Sequence, residues 1–226
     1  CAYYIAFNQS ADFAQDVKVR QALNYAIDKQ TMVDNLFYGE GKAAKGLYNS
    51  ELVPYVTEEN SPGYEYNLEK AKSLLAEAGY TDSNGNGTLD KDGKELELSI
   101  MYTTQEFPEF QTMAEYTQSQ LQQVGIGLSL NPVDTNAFNE HEMAATGYDL
   151  IINRTSSDSW LPHGVMKQLF SPLKTANGKA KIWIDDTLVE NINSTLVAKT
   201  DDERQAGYDK IFKQINDQAY VIPMYY

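Results

Sequence analysis

A chain of 226 residues with 42% hydrophobic side chains is long enough to bury a continuous core and is globular. Its 18 basic and 32 acidic side chains leave a formal net charge of −14, which repels nucleic-acid phosphates and anionic headgroups and excludes nucleic acid as a partner. The single cysteine, Cys1, excludes an intrachain disulfide and a zinc site of paired thiols, and no apolar run approaches the roughly 20 residues that cross a bilayer.

Ala2 to Phe7 reads as a buried strand, so Cys1 lacks the polar tether that follows a lipid-modified cysteine. From Asp16 to Tyr38, apolar residues at Val19, Leu23, Ala26, Ile27, Val33 and Phe37 predict one amphipathic helix ending at Gly39. A second helix begins at the cap Asn67, continues through Leu68, Ala71, Leu74, Leu75 and Ala78, and stops at Gly79. The text from Asp82 to Gly93 places oxygen donors Asp82, Asn84, Asn86 and Asp90 at positions one, three, five and nine of a calcium-loop pattern, with Gly87 at six. Gly93 stands where that pattern needs a bidentate glutamate. A tight turn between helix and strand explains the same residues, and any calcium here would be structural.

Leu96 to Tyr102 alternates with period two, which predicts a strand covered mainly on one face. A helix over 107–124 stops at Gly125 and is followed by a strand over 126–130. A helix over 136–145 precedes a strand from Tyr148 to Asn153. Two more helices follow, Asp185 to Ala198 and one opened by the capping-box pattern Thr200-Asp201-Asp202-Glu203. Pro223 inside the closing strand places that strand at an edge or a crossing. The strand and helix alternation makes a layered α/β lobe, and no repeat or linker divides it. Both ends fall in apolar, strand-like text, which marks an excised domain.

Three stretches carry a family pattern. Asp16-Val17-Lys18-Val19-Arg20-Gln21-Ala22-Leu23-Asn24-Tyr25-Ala26-Ile27-Asp28-Lys29 is close to the D-V-R-V-R-Q-A-L-x-x-A-I-D-R signature of extracytoplasmic solute-binding proteins of family 5. The segment from Tyr66 to Tyr80 resembles the helix that follows it there. Gly147-Tyr148-Asp149-Leu150, taken with Ala219 to Met224, completes the likeness. The resemblance implies an α/β fold of periplasmic-binding-protein type II, a mixed sheet flanked by helices, seen here as the C-terminal lobe of a receptor about twice as long. Its other lobe is missing, and both ends of this lobe run into that partner as hinge strands. Implied partners are the N-terminal lobe of the same protein, the subunits of an ABC permease and a small-molecule or peptide cargo. The implied location is extracytoplasmic, as a periplasmic or surface-tethered lipoprotein. Arg20, Asp28 and Lys29 are expected to form local salt bridges and not to touch ligand.

The loop from Arg154 to Gly164 leaves the sheet at a strand end, the usual position of a ligand in α/β folds. In nickel-binding members it resembles R-T-W-G-x-P-Y-D-P-H, where the histidine ligates the bound metal complex. Arg154, Thr155, Pro162 and His163 match at that spacing, whereas Ser156-Ser157 and Trp160-Leu161 depart from it. That likeness implies a nickel chelate as cargo, with His163 as ligand and Arg154, Asp158 and Trp160 as neighbours. In peptide-binding members the loop reads roughly A-D-Y-x-D-P, and Asp158 falls on the aspartate that meets the peptide α-ammonium, with Trp160 as an apolar wall. Each of these residues also has a structural explanation as a cap or a loop hydrogen bond. His141 is followed four residues on by Ala145, which excludes the H-E-x-x-H zinc-protease pattern, and it is expected to face solvent. No nucleophile elbow, phosphate loop or cysteine-histidine pair is present, so a binding role and not catalysis is expected, with no cofactor required.

Overall fold

A continuous apolar run builds the first element, β1 (Tyr3–Phe7), whose residues are buried except at half-buried Tyr3. The computed structural model describes residues 1–155, 162–172 and 180–226. The helix expected from Asp16 to Tyr38 is two helices, α1 (Val17–Tyr25) and α2 (Lys29–Leu36). The apolar period runs through the break unchanged. Asp28 nevertheless turns its carboxylate back as a cap, accepting from the Thr31 amide at 3.1 Å and the Thr31 hydroxyl at 2.8 Å. Asp16 caps α1 in the same way through Lys18 N.

The other expected elements are present with shifted ends. Asn67 caps α3 (Leu68–Glu77), and Gly79 beyond it has φ +95°, a conformation that favours glycine. A hairpin of β2 (Asp90–Lys91) and β3 (Lys94–Glu95) leads into β4 (Glu97–Tyr102), which is buried on both faces at its carboxyl end and not on one as expected. Then come α4 (Glu109–Gln122), β5 (Gly127–Pro132), α5 (Thr135–Ala144) and β6 (Leu150–Arg154). The chain continues through α6 (His163–Phe170), α7 (Asp186–Ser194), a 3-10 turn (Thr195–Val197), α8 (Asp201–Asp217) and β7 (Val221–Tyr225). Thr200 Oγ1 caps α8 by accepting from Glu203 N at 3.1 Å.

The sheet order is β5-β4-β6-β1-β7, with β4 parallel to β5 and β6, and β1 antiparallel to β6 and β7. Pro223 is therefore on an edge strand, as its missing N–H requires, beside a register shift in the β1–β7 pairing. These directions gather the carboxyl ends of β4, β5, β6 and β7 and the amino end of β1 along one edge. On one face α4 packs beneath Tyr3 through Phe110, whose ring centroid is 6.0 Å from that of Tyr3. Tyr4, one residue on, points to the opposite face, where burial pushes its phenol pKa up, as it does that of Tyr48. Tyr48 in turn packs on Phe212 of α8.

Among the described residues the expected ion pairs of Arg20, Asp28 and Lys29 are not formed, and these residues support the scaffold by other means. Arg20, buried, lies 4.5 Å over the Trp183 ring and donates to the carbonyls of Ala14 and Gln218. Lys29 is 7% exposed, and burial pushes its pKa down to about 7.

Candidate functional site at the carboxyl edge of the sheet

Register builds the first part of the site. Tyr3 pairs with Arg154 on one side and Tyr225 on the other, so three side chains from three strands share a face at the end of the sheet. The Tyr3 and Tyr225 rings stack at 4.4 Å with an interplanar angle of 6°. Phe107, at the entry to α4, lies 5.0 Å from Phe110 and meets Tyr3 edge-on at 6.5 Å. The Arg154 guanidinium rests 4.6 Å over Phe107 and directs Nη1 to Cys1 Sγ at 3.6 Å. Half-buried Arg154 thus has one flat face covered by an aromatic ring, which fixes its orientation while leaving a planar fork of donors suited to a carboxylate.

The second part is His163, the first residue of α6. Its Nδ1 lies 3.3 Å from Thr195 Oγ1, and that hydroxyl donates to the Ile192 carbonyl at 2.7 Å. A hydroxyl has one proton, so Thr195 accepts from the imidazole, which assigns the histidine proton to Nδ1 and the lone pair to Nε2. Burial lowers the His163 pKa from 6.5, opposed by the Ile192 carbonyl and aided by Lys167, which favours the neutral ring.

Arg154 and His163 bracket the loop that the sequence singled out, but the structure gives them different supports. Arg154 stands over the α4 aromatics, and His163 stands on the α7–α8 junction. Asp158 and Trp160 lie outside the described residues. His141 is half-buried, with Nδ1 3.4 Å from Thr146 Oγ1 in an exposed contact and its ring over the Gly147 turn.

At the opposite end of the sheet, the Asp82 loop is a network of turns. Asp82 accepts from Asn86 N at 3.1 Å and Gly87 N at 2.9 Å, Asn84 Oδ1 from Asn86 N, and Asn86 Oδ1 from Thr88 N. The amides of Asn84 and Asn86 both donate to Glu95, while buried Asp90 accepts from Ser83 N and Oγ. Among the described residues no group of three or more His, Cys, Asp or Glu side chains is arranged to hold a metal ion.

The aromatic shelf of Tyr3, Phe107, Phe110 and Tyr225 is absent from the expected site, because only long-range strand pairing assembles it. The one local signal was the pair of tyrosines closing a chain whose ends read as strand.

Residues 1–177 match the family model for bacterial extracellular solute-binding proteins, family 5. The chain belongs to that family. It is 28% identical over 226 residues to the oligopeptide-binding protein AppA of Bacillus subtilis, covering 99% of this chain and 41% of AppA. It is 27% identical to the nickel-binding periplasmic protein of Escherichia coli, covering 98% and 42%. The crystal structure of NikA from Brucella suis in complex with Fe(III)-EDTA superposes with a TM-score of 0.84 at 26% identity, over 99% of this chain and 44% of that one. The fold is thus that of type II periplasmic binding proteins, a mixed sheet flanked by helices, and the chain spans about two-fifths of the length of its matched relatives. Among the described residues no helix is long and apolar enough to cross a membrane.

Proposed function

We propose that this chain is the cargo-holding lobe of the substrate-binding component of an ABC importer, a receptor and not an enzyme. It works outside the cytoplasm and passes a nickel chelate to the membrane permease. The orientation of His163 carries the metal reading. An imidazole whose neutral form is favoured, with Nδ1–H anchored on Thr195 and Nε2 bearing the lone pair, has the form that metal-ligating histidines take. One imidazole supplies one donor, and the chelator supplies the rest, with its carboxylates drawn to Arg154. The nickel-binding relative and the relative that holds Fe(III)-EDTA support the same reading. Any calcium held by Asp82, Asn84, Asn86 and Asp90 serves structure and not transport.

The aromatic shelf favours a second reading. Flat apolar rings beside an arginine also suit a peptide side chain and its terminal carboxylate, with Asp158 on the α-ammonium, and AppA is an oligopeptide-binding protein.

Isothermal titration of the full-length receptor decides between them, using nickel with free histidine as one probe and a mixed peptide pool as the other. The expected result is tight nickel-histidine binding that is lost in His163→Ala and weakened about tenfold in Arg154→Ala, the cost of one charge-assisted bond. Peptide binding that ignores His163 and is lost in Asp158→Ala overturns the nickel reading in favour of the peptide one.

A further inference from the structure

Arg154 lies where the sheet runs out of backbone partners on one side. The Asn8 amide donates to the Asp149 carbonyl at 2.8 Å and the Thr155 amide to the Ala2 carbonyl at 2.9 Å, so the alternate pairs between them, Ala6–Ile151 and Tyr4–Asn153, are the hydrogen-bonded ones of the β1–β6 ladder. Arg154, opposite Tyr3, falls on the other set, and its amide points away from β1 toward the β4 side. There the β4–β6 pairing has already ended, at Met101 and Ile151. The Arg154 amide is taken instead by the side chain before it: Asn153 Oδ1 accepts from it at 2.8 Å.

Asn153 is held in turn, its Nδ2 donating to Glu142 Oε1 at 2.6 Å. Glu142 breaks two local rules. It sits in the last turn of α5, where the helix dipole disfavours an anion, and it is half-buried. Burial pushes its pKa up, with Lys181 and the Asn153 bond opposing. The end of the helix that carries it is fixed to the sheet, because buried Asn8, just past β1, donates through Nδ2 to the carbonyls of Ala145 and Tyr148 at 2.9 Å each. A carboxylate kept where burial and dipole both oppose it marks a position retained for more than stability, and what this one grips is the amide that satisfies Arg154.

We propose that Glu142 and Asn153 are positioning residues for Arg154: the carboxylate holds the Asn153 side chain, that side chain holds the Arg154 backbone, and the guanidinium is thereby set on the Phe107 ring with donors free for a cargo carboxylate. This rests on the reading that Arg154 meets cargo. Glu142→Ala leaves Asn153 free to turn, and the Arg154 amide then loses its acceptor. Glu142→Gln keeps an oxygen for Asn153 Nδ2 and removes only the charge.

The test is a double-mutant cycle in cargo affinity, read by isothermal titration of the full-length receptor with nickel-histidine and with the peptide pool, over wild type, Glu142→Ala, Arg154→Ala and the double variant. For the probe that wild type binds, Glu142→Ala is expected to lose about fivefold and Glu142→Gln to stay within about twofold, while the double variant binds as weakly as Arg154→Ala and no weaker. If Glu142→Ala does not fold, Glu142→Leu, which fills the space without an acceptor, takes its place in the cycle. Losses that multiply in the double variant overturn the positioning role, as does wild-type affinity in Glu142→Ala. Wild-type affinity in Arg154→Ala, or a wild-type receptor that binds neither probe, overturns the cargo reading of Arg154, and the positioning role falls with it.

Discussion

The two ends of the central sheet both carry residues that look like ligand sets in sequence, yet they use their polar groups in opposite ways. At the far end the oxygens of Asp82, Asn84, Asn86 and Asp90 accept from the amides and hydroxyl of their own loop. At the carboxyl edge Arg154 rests on a ring face, and at the start of α6 His163 is held through one nitrogen, so among the described residues each is oriented by part of its surface. The difference teaches that donor type and spacing alone do not mark a site. What marks it is whether local geometry consumes the valences or only aims them.

A residue at neither end sets the scale for the predictions. Burial disfavours the charged form of Lys29, its pKa lowered from 10.5 to about 7. The unfolded chain therefore binds more protons between about pH 7 and 10.5, and wild-type stability rises with pH across that window. Lys29→Met is expected to raise stability at pH 7 by on the order of 2–4 kcal/mol, a gain that shrinks toward pH 10.5 in urea titrations, with cargo affinity unchanged. A fall in affinity would place Lys29 in the site and break the division between scaffold and cargo end.

A smaller effect sharpens the division from the other side. Asp90→Ala unpairs the Ser83 amide and hydroxyl and is expected to cost about 1–3 kcal/mol in denaturant unfolding while leaving affinity for either probe within twofold. An affinity loss matching that of Arg154→Ala would show that the two ends are not independent.

Much of the scaffold is legible in the sequence because its signals are local. Asn67, Thr200 and the glycine stops mark helix ends through bonds that span a few residues. The break at Asp28 escaped because Val33 and Phe37 remain in phase with α1, and periodicity does not register a side chain that caps in mid-pattern. The site divides in the same way. Arg154 and His163 stand out in a linear pattern, whereas their supports do not: Phe107 lies 47 positions before Arg154, Thr195 lies 32 positions after His163, and Tyr3 and Tyr225 meet across nearly the whole chain. Thr155 stands out in the sequence only as a motif match, whereas its bond to Ala2 depends on a register that only the folded sheet defines.

The most direct test of the carboxyl edge as the cargo site is hydrogen exchange, read by mass spectrometry, on the full-length receptor with and without nickel-histidine or the peptide pool. Slower exchange across 103–110 and 154–165 on adding the bound probe, with 82–95 unchanged, is the predicted result. Protection confined to 82–95, with the carboxyl edge unmoved, would contradict it.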